Sequence, residues 1–122
     1  MLHAEITEKI IKSAMNVYNT LGFGFMEKVY ENSLMVELEL SGLKAIQQHP
    51  VKVCYKERSV GDYIADIVVE DKVIIELKSI EQLNKVHEVQ LVNYLKATNK
   101  EVGILLNFGK ETLEFKRKVL NL

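Results

Sequence analysis

Residues 65–79, ADIVVEDKVIIELKS, constrain what this chain can fold into more than any other stretch. Two runs rich in Val and Ile flank the polar triplet Glu70-Asp71-Lys72, which is the pattern of an antiparallel hairpin. A loop formed by that triplet places Val69 opposite Val73, Val68 opposite Ile74 and Asp66 opposite Glu76. Ile64, Asp66, Val68, Ile74, Glu76 and Lys78 then share one face, and Ala65, Ile67, Val69, Val73, Ile75 and Leu77 form the other. A two-residue loop would turn Asp66 away from Glu76. Both faces are apolar enough to need covering, so two acids and a lysine stand in a strand pair that packs on both sides.

The rest of the chain sets the bounds around this hairpin. With 122 residues, 48% of them apolar, the sequence supports one domain over residues 1–122 with a sizeable core. Sixteen basic and seventeen acidic residues leave a formal charge of −1, so no global field draws the chain to nucleic acid or to a membrane. The single Cys54 allows no internal disulfide, and no window approaches a membrane span or a secretory signal. The expectation is a cytoplasmic protein.

Apolar residues recur at helical spacing from Ile6 through Ile10, Ala14, Val17 and Leu21, with Gly22 placed to stop the helix. GFGF breaks the chain, and a second helical pattern runs through Met26, Val29, Tyr30, Leu34 and Leu38 to Gly42. QQHPVKVCYKE alternates as a half-exposed strand, with Pro50 near its beginning and an edge position implied. Gly61-Asp62 reads as the turn into the hairpin. A third helix has Leu83, Val86, Gln90, Tyr94 and Ala97 on one face, with Ser79 as its cap. EVGILLNFG is a buried strand and ETLEFKRKVLNL one more, so the order is α-α-β-β-β-α-β-β.

Acids on a strand ordinarily form its solvated face. Here that face would also carry Ile64, Val68 and Ile74, and two carboxylates directly across a strand pair repel unless something positive lies between them. Carboxylate oxygens are the ligands that Mg²⁺ and Mn²⁺ prefer, and Mg²⁺ is commonly held by one or two of them while keeping waters. Lys78 projects from the same face, where an ammonium can stabilise charge developing on a phosphate or orient a water. Asp66, Glu76 and Lys78 thus outline metal-assisted hydrolysis. Gln90 adds an amide turned toward the sheet, which needs a polar partner. Glu27 adds a third acid where a carboxylate also meets a helix dipole favourably.

Four segments, GFMEKVY (Gly24, Glu27, Tyr30), ADIVVEDKVIIELKS, VQLVNYL and GILLNFG, in this order and spacing resemble the GxxExxY protein family, which is assigned to the PD-(D/E)XK nuclease superfamily. The resemblance runs from the first helix to the closing FKRKV. It implies an α/β (α+β) sandwich with a restriction-endonuclease-like αβββαβ core, a mixed four-stranded sheet between helices, and an additional N-terminal helix. It also implies that Asp66 and Glu76 hold the metal, that Glu27 is the helical acid binding or positioning a second ion, that Lys78 is the catalytic lysine and that Gln90 is the supporting polar residue, with Tyr30 and Tyr94 lining the site. Members often have His after the valine of the first helix, where this chain has Tyr18.

Lys110, Lys116, Arg117 and Lys118 gather near the C-terminus, and Lys116, Arg117 and Lys118 are candidates for contacting phosphates. His3, His49 and His87 have no metal-ligand spacing. Cys54 lacks a basic partner. GFGF lacks the Gly-Lys-Ser/Thr of a phosphate loop and instead permits a tight helix-to-helix turn. The resulting expectation is a Mg²⁺- or Mn²⁺-dependent endonuclease acting on DNA or RNA, with a homodimer for paired cuts. The alternatives are a non-catalytic nucleic-acid-binding or assembly module that keeps the fold, and a structural domain whose acids merely pair with Lys78.

Overall fold

The computed structural model describes residues 2–120. Met1 of the expected domain, and Asn121 and Leu122 of the expected last strand, lie outside the described residues. The elements are α1 (Ala4–Leu21), α2 (Glu27–Leu40), β1 (Ala45–Tyr55), β2 (Arg58–Val69), β3 (Val73–Lys78), α3 (Lys85–Thr98), β4 (Val102–Asn107) and β5 (Glu114–Val119), in the expected order. The strands form one five-stranded sheet in the order β1-β2-β3-β4-β5, with β3 and β4 parallel and the other neighbours antiparallel. The fold is therefore the α+β, restriction-endonuclease-like sandwich, with the edge placement of β1 that its Pro50 requires.

Each helix covers a face because its apolar stripe matches the pleat beneath. Ile10, Ala14 and Val17 of α1 and Tyr30, Leu34 and Leu38 of α2 pack on Ile67, Val69, Ile75, Leu77, Ile104 and Leu106. On the opposite face Leu91, Tyr94 and Leu95 of α3 pack on Val51, Ala65, Val68, Ile74 and Leu105. The hairpin register agrees with the expected one, Val69 opposite Val73 and Val68 opposite Ile74, and the turn is closed by Lys72 N–H donating to Val69 O at 2.9 Å. Glu70 and Asp71 supply the positive φ that a tight turn of this kind needs, at 54° and 56°.

Four local readings are corrected. Gly61-Asp62 is not a turn: both lie inside β2, and the chain reverses at Lys56-Glu57, whose φ angles of 48° and 66° make the tight turn without glycine. Pro50 is inside β1 rather than at its start, tolerated because the strand is an edge. Ser79 does not cap α3; Asn84 does, accepting Val86 N–H at 3.0 Å, while His87 Nδ1 accepts Asn84 N–H at 3.2 Å. The inward stripe of α3 runs through Leu91, Leu95 and the expected Tyr94, whereas Val86 is exposed.

The two faces of the hairpin are also not constant along it. Ala65 packs with Val68 and Ile74 under α3, two residues from Ile67 under α1 and α2, and Ile64 is exposed. At the same point Gln48 of β1 has a φ of 55°, and the β1–β2 ladder lacks a pair between Gln47↔Ile67 and His49↔Ala65, opposite Asp66, with the register unchanged on either side. Asp66 sits where the faces change.

Candidate active site

Strand β2 has twelve residues, but only Ile67, Val68 and Val69 are in ladder register with β3. The two strands part at Asp66 and Glu76. The backbone donors freed by the fork are taken by side chains: Asp66 N–H donates to Glu76 Oε2 at 2.8 Å, and Leu77 N–H donates to Asp66 Oδ2 at 2.8 Å. The other oxygen of each carboxylate, Asp66 Oδ1 and Glu76 Oε1, accepts no hydrogen bond from the described residues.

Glu76 is buried and Asp66 half-buried. Burial, followed by the charge of Asp66, pushes the Glu76 carboxyl up to about 8. Burial also raises Asp66, with Glu31 and Glu27 adding to the rise and the Leu77 N–H opposing it. Lys78, half-buried at the end of β3, lowers both and makes no ion pair with the described residues. The pair is thus an electrostatically unsatisfied anionic site with one cation beside it.

Glu27 opens α2 and is exposed, and its charge contributes to the rise of both Asp66 and Glu76. The turn before it is rigidly held. Gly22 and Gly24 take φ angles of 69° and 114°, and the Tyr30 hydroxyl donates to Gly22 O at 2.6 Å and accepts Phe25 N–H at 3.2 Å. Ser79, next to Lys78, donates its hydroxyl to Phe25 O at 2.6 Å. The Gly24-x-x-Glu27-x-x-Tyr30 spacing therefore has a physical role: the glycine makes the turn, the tyrosine clamps it and the glutamate is presented. Tyr30, expected to line the site, acts here through the turn that presents Glu27. It is fully buried and stacks on Phe108 with centroids 4.6 Å apart.

Gln90 donates its amide to the Tyr94 hydroxyl at 3.0 Å. Burial and then the charge of Glu76 raise the Tyr94 phenol, with Asp66 adding to the rise, so this pair belongs to the same charged neighbourhood from the α3 side. Lys116, Arg117 and Lys118 are placed elsewhere. Glu88 pairs with Lys116 at 3.2 Å and with Lys118, and Arg117 donates to Leu2 O at 2.7 Å. Those pairs hold the Glu88 carboxyl below its usual range. The basic run thus faces Glu88 of α3 and the backbone of Leu2.

Sequence reasoning missed Glu31. It lies one helical turn after Glu27 and is buried, accepting Lys28 Nζ at 3.0 Å, Gln48 Nε2 at 3.0 Å and Gln47 Nε2. The paired amides of Gln47-Gln48 facing a helix with two acids at i and i+4 were the available signal. Asn107 was likewise read only as strand. It is fully buried and holds Ile80 through both N–H and O, at 3.1 and 3.0 Å, fixing the chain just beyond Lys78.

A five-stranded mixed sheet covered by helices on both faces, with two carboxylates and a lysine at a strand fork, defines a restriction-endonuclease-like domain. The sequence model of the PD-(D/E)XK nuclease superfamily matches residues 4–118, and the chain belongs to that superfamily. No curated protein sequence matches it. Among solved structures, the crystal structure of SSO0001 is similar with a TM-score of 0.58 and 16% identity, which shows the fold alone. The match covers 78% of this chain and 51% of that one, so the chain spans about half the length of this neighbour. No described helix is long and apolar enough to cross a membrane.

Proposed function

We propose that the chain is a divalent-metal-dependent nuclease of the GxxExxY type that hydrolyses phosphodiester bonds in nucleic acid. The observation that carries this reading is the reciprocal bonding of Asp66 and Glu76 at the fork, which leaves one oxygen of each carboxylate uncommitted beside Lys78. Two hard oxygens on a buried, mutually repelling pair suit a cation that keeps part of its water shell. Among the described residues no group of three His, Cys, Asp or Glu side chains converges as a ligand set, so Glu27 is not brought together with Asp66 and Glu76 as a third ligand. A bound Mg²⁺ or Mn²⁺ would supply Lewis-acid stabilisation of charge on the phosphate.

The chain's own groups have separable work. Asp66 and Glu76 are preorganised by backbone N–H groups, so neither has to reorient on binding. Lys78 holds an ammonium where negative charge on the phosphate develops. Gln90 orients the Tyr94 hydroxyl on the α3 side, and Glu27 sets the negative rim on the α2 side.

The test is incubation of purified protein with single- and double-stranded DNA and RNA in Mg²⁺ or Mn²⁺. Chelator-sensitive cleavage that disappears in Asp66→Asn is the expected result. Absence of cleavage on all four substrates, with nucleic-acid binding retained, would establish a binding module instead.

A further inference from the structure

The β1–β2 hairpin continues past the fork, and together with α3 it lines an open groove of about 800 Å³ whose wall includes Tyr94, the residue whose phenol feels the charges of Glu76 and Asp66. Its lining contains no Asp or Glu, in a chain with seventeen, and it contains Lys52 and Lys96. Tyr63 stands half-exposed on its wall, with its ring 5.8 Å from that of Tyr94, and Gln90 and Asn93 contribute amides to the lining beside Val53, Val60 and Val89. The turn held by Tyr30 and by Ser79, the residue after Lys78, exposes Phe25 and Met26.

Resting on the nuclease reading, we propose that this groove takes the unpaired nucleobases of single-stranded nucleic acid, stacked on Tyr63, with Phe25 and Met26 flanking the strand on the other side of the acids. A nucleobase needs an aromatic face, amide partners for its edge and a nearby cation for its phosphate, and the groove offers each without an acid to repel the backbone. A duplex is poorly served. The chain has a net charge of −1, and two of the three cations in its densest basic run share the single carboxylate of Glu88. Affinity must therefore come from stacking more than from phosphate neutralisation, and its salt dependence must be shallow.

The test is fluorescence anisotropy with a labelled mixed-sequence 12-mer, as DNA and as RNA, single-stranded and as duplex, in chelator so that no cleavage or metal is required. The single strand should bind at least ~10-fold more tightly than the duplex, with a log–log salt slope of about −1 to −2. Tyr63→Ala should weaken single-strand binding by ~10-fold or more, while Tyr63→Phe keeps it, since every aromatic presents a stacking face. Equal or tighter duplex binding, a slope steeper than about −4, or an unchanged Tyr63→Ala would overturn the proposal. So would sedimentation showing that the wild type is a dimer which Tyr63→Ala dissociates, because the groove would then be filled by a second copy. If the binding pattern holds but no substrate is cut in Mn²⁺, the groove stands and the nuclease reading falls. Cleavage indifferent to Tyr63 has the reverse meaning.

Discussion

Asp66 gives its backbone N–H to the carboxylate of Glu76 at 2.8 Å, at the point where β2 and β3 leave one another. A strand fork exposes peptide donors that a continuous ladder would consume, and here carboxylates are anchored by them. The anchoring costs burial of negative charge, and the pH and metal behaviour of the protein follow from that cost.

In metal-free buffer, stability should fall as pH rises. Glu76 is raised from 4.5 to about 8 in the folded protein, so folding takes up a proton between those values. Its stabilising contribution is fully present below 4.5 and is lost as pH climbs through 8. The Tm of the chelated protein, followed from about pH 5 to about pH 8.5, should decline, and Glu76→Gln should flatten the decline. A slope unchanged in that variant would assign the pH dependence to other groups.

Divalent metal should reverse that trend. An ion bound by the folded site and not by the unfolded chain adds to stability by mass action, ~2.7 kcal/mol at a hundred times its Kd, and so raises Tm. Mn²⁺ affinity measured by calorimetry should strengthen with pH toward 8, because Glu76 must release its proton to bind. Asp66→Asn should remove the rise in Tm; an equal rise in that variant would put the ion elsewhere.

Lys78→Ala separates chemistry from binding. The acids hold the ion, whereas the ammonium acts on charge that appears mainly in the transition state. Folding and Mn²⁺ affinity should change little, and cleavage should drop by roughly two orders of magnitude or more. A comparable loss of metal affinity would make Lys78 a structural partner of Asp66 and Glu76.

Gly109→Ala should be far more damaging than Gly103→Ala. A Cβ at Gly109 would lie 2.2 Å from Ile80 N and 2.3 Å from Ile80 O, where backbone held by Asn107 cannot yield. At Gly103 the obstruction is the flexible Leu91 side chain, at 2.7 Å. Overpacking of this kind costs ~1–3 kcal/mol, and more when backbone must move. Denaturant unfolding should rank the two variants in that order, and Gly109→Ala should also lose activity, because Ile80 follows Lys78 by two residues.

The sequence by itself determined the order of the elements, the edge placement of β1 and the β2–β3 register, because each rests on local periodicity, on a proline without a donor, or on a turn triplet between two apolar runs. It also brought Asp66, Glu76 and Lys78 into one neighbourhood by counting alone. Gly61 misled because glycine is only one route to positive φ; Lys56 and Glu57 make the turn once β1 and β2 pair along their length. Only the tertiary structure decided which face each residue meets, since Ala65 and Ile67, two apart in β2, pack on opposite faces about Asp66, which strand periodicity does not foretell. It likewise decided that Glu31 is buried, that Tyr30 clamps a turn, and that Lys116 and Lys118 answer to Glu88. Each of these depends on a partner sixteen or more residues away or on the angle at which a helix enters, and side-chain pairing at that range is set by packing, which a single sequence does not spell out.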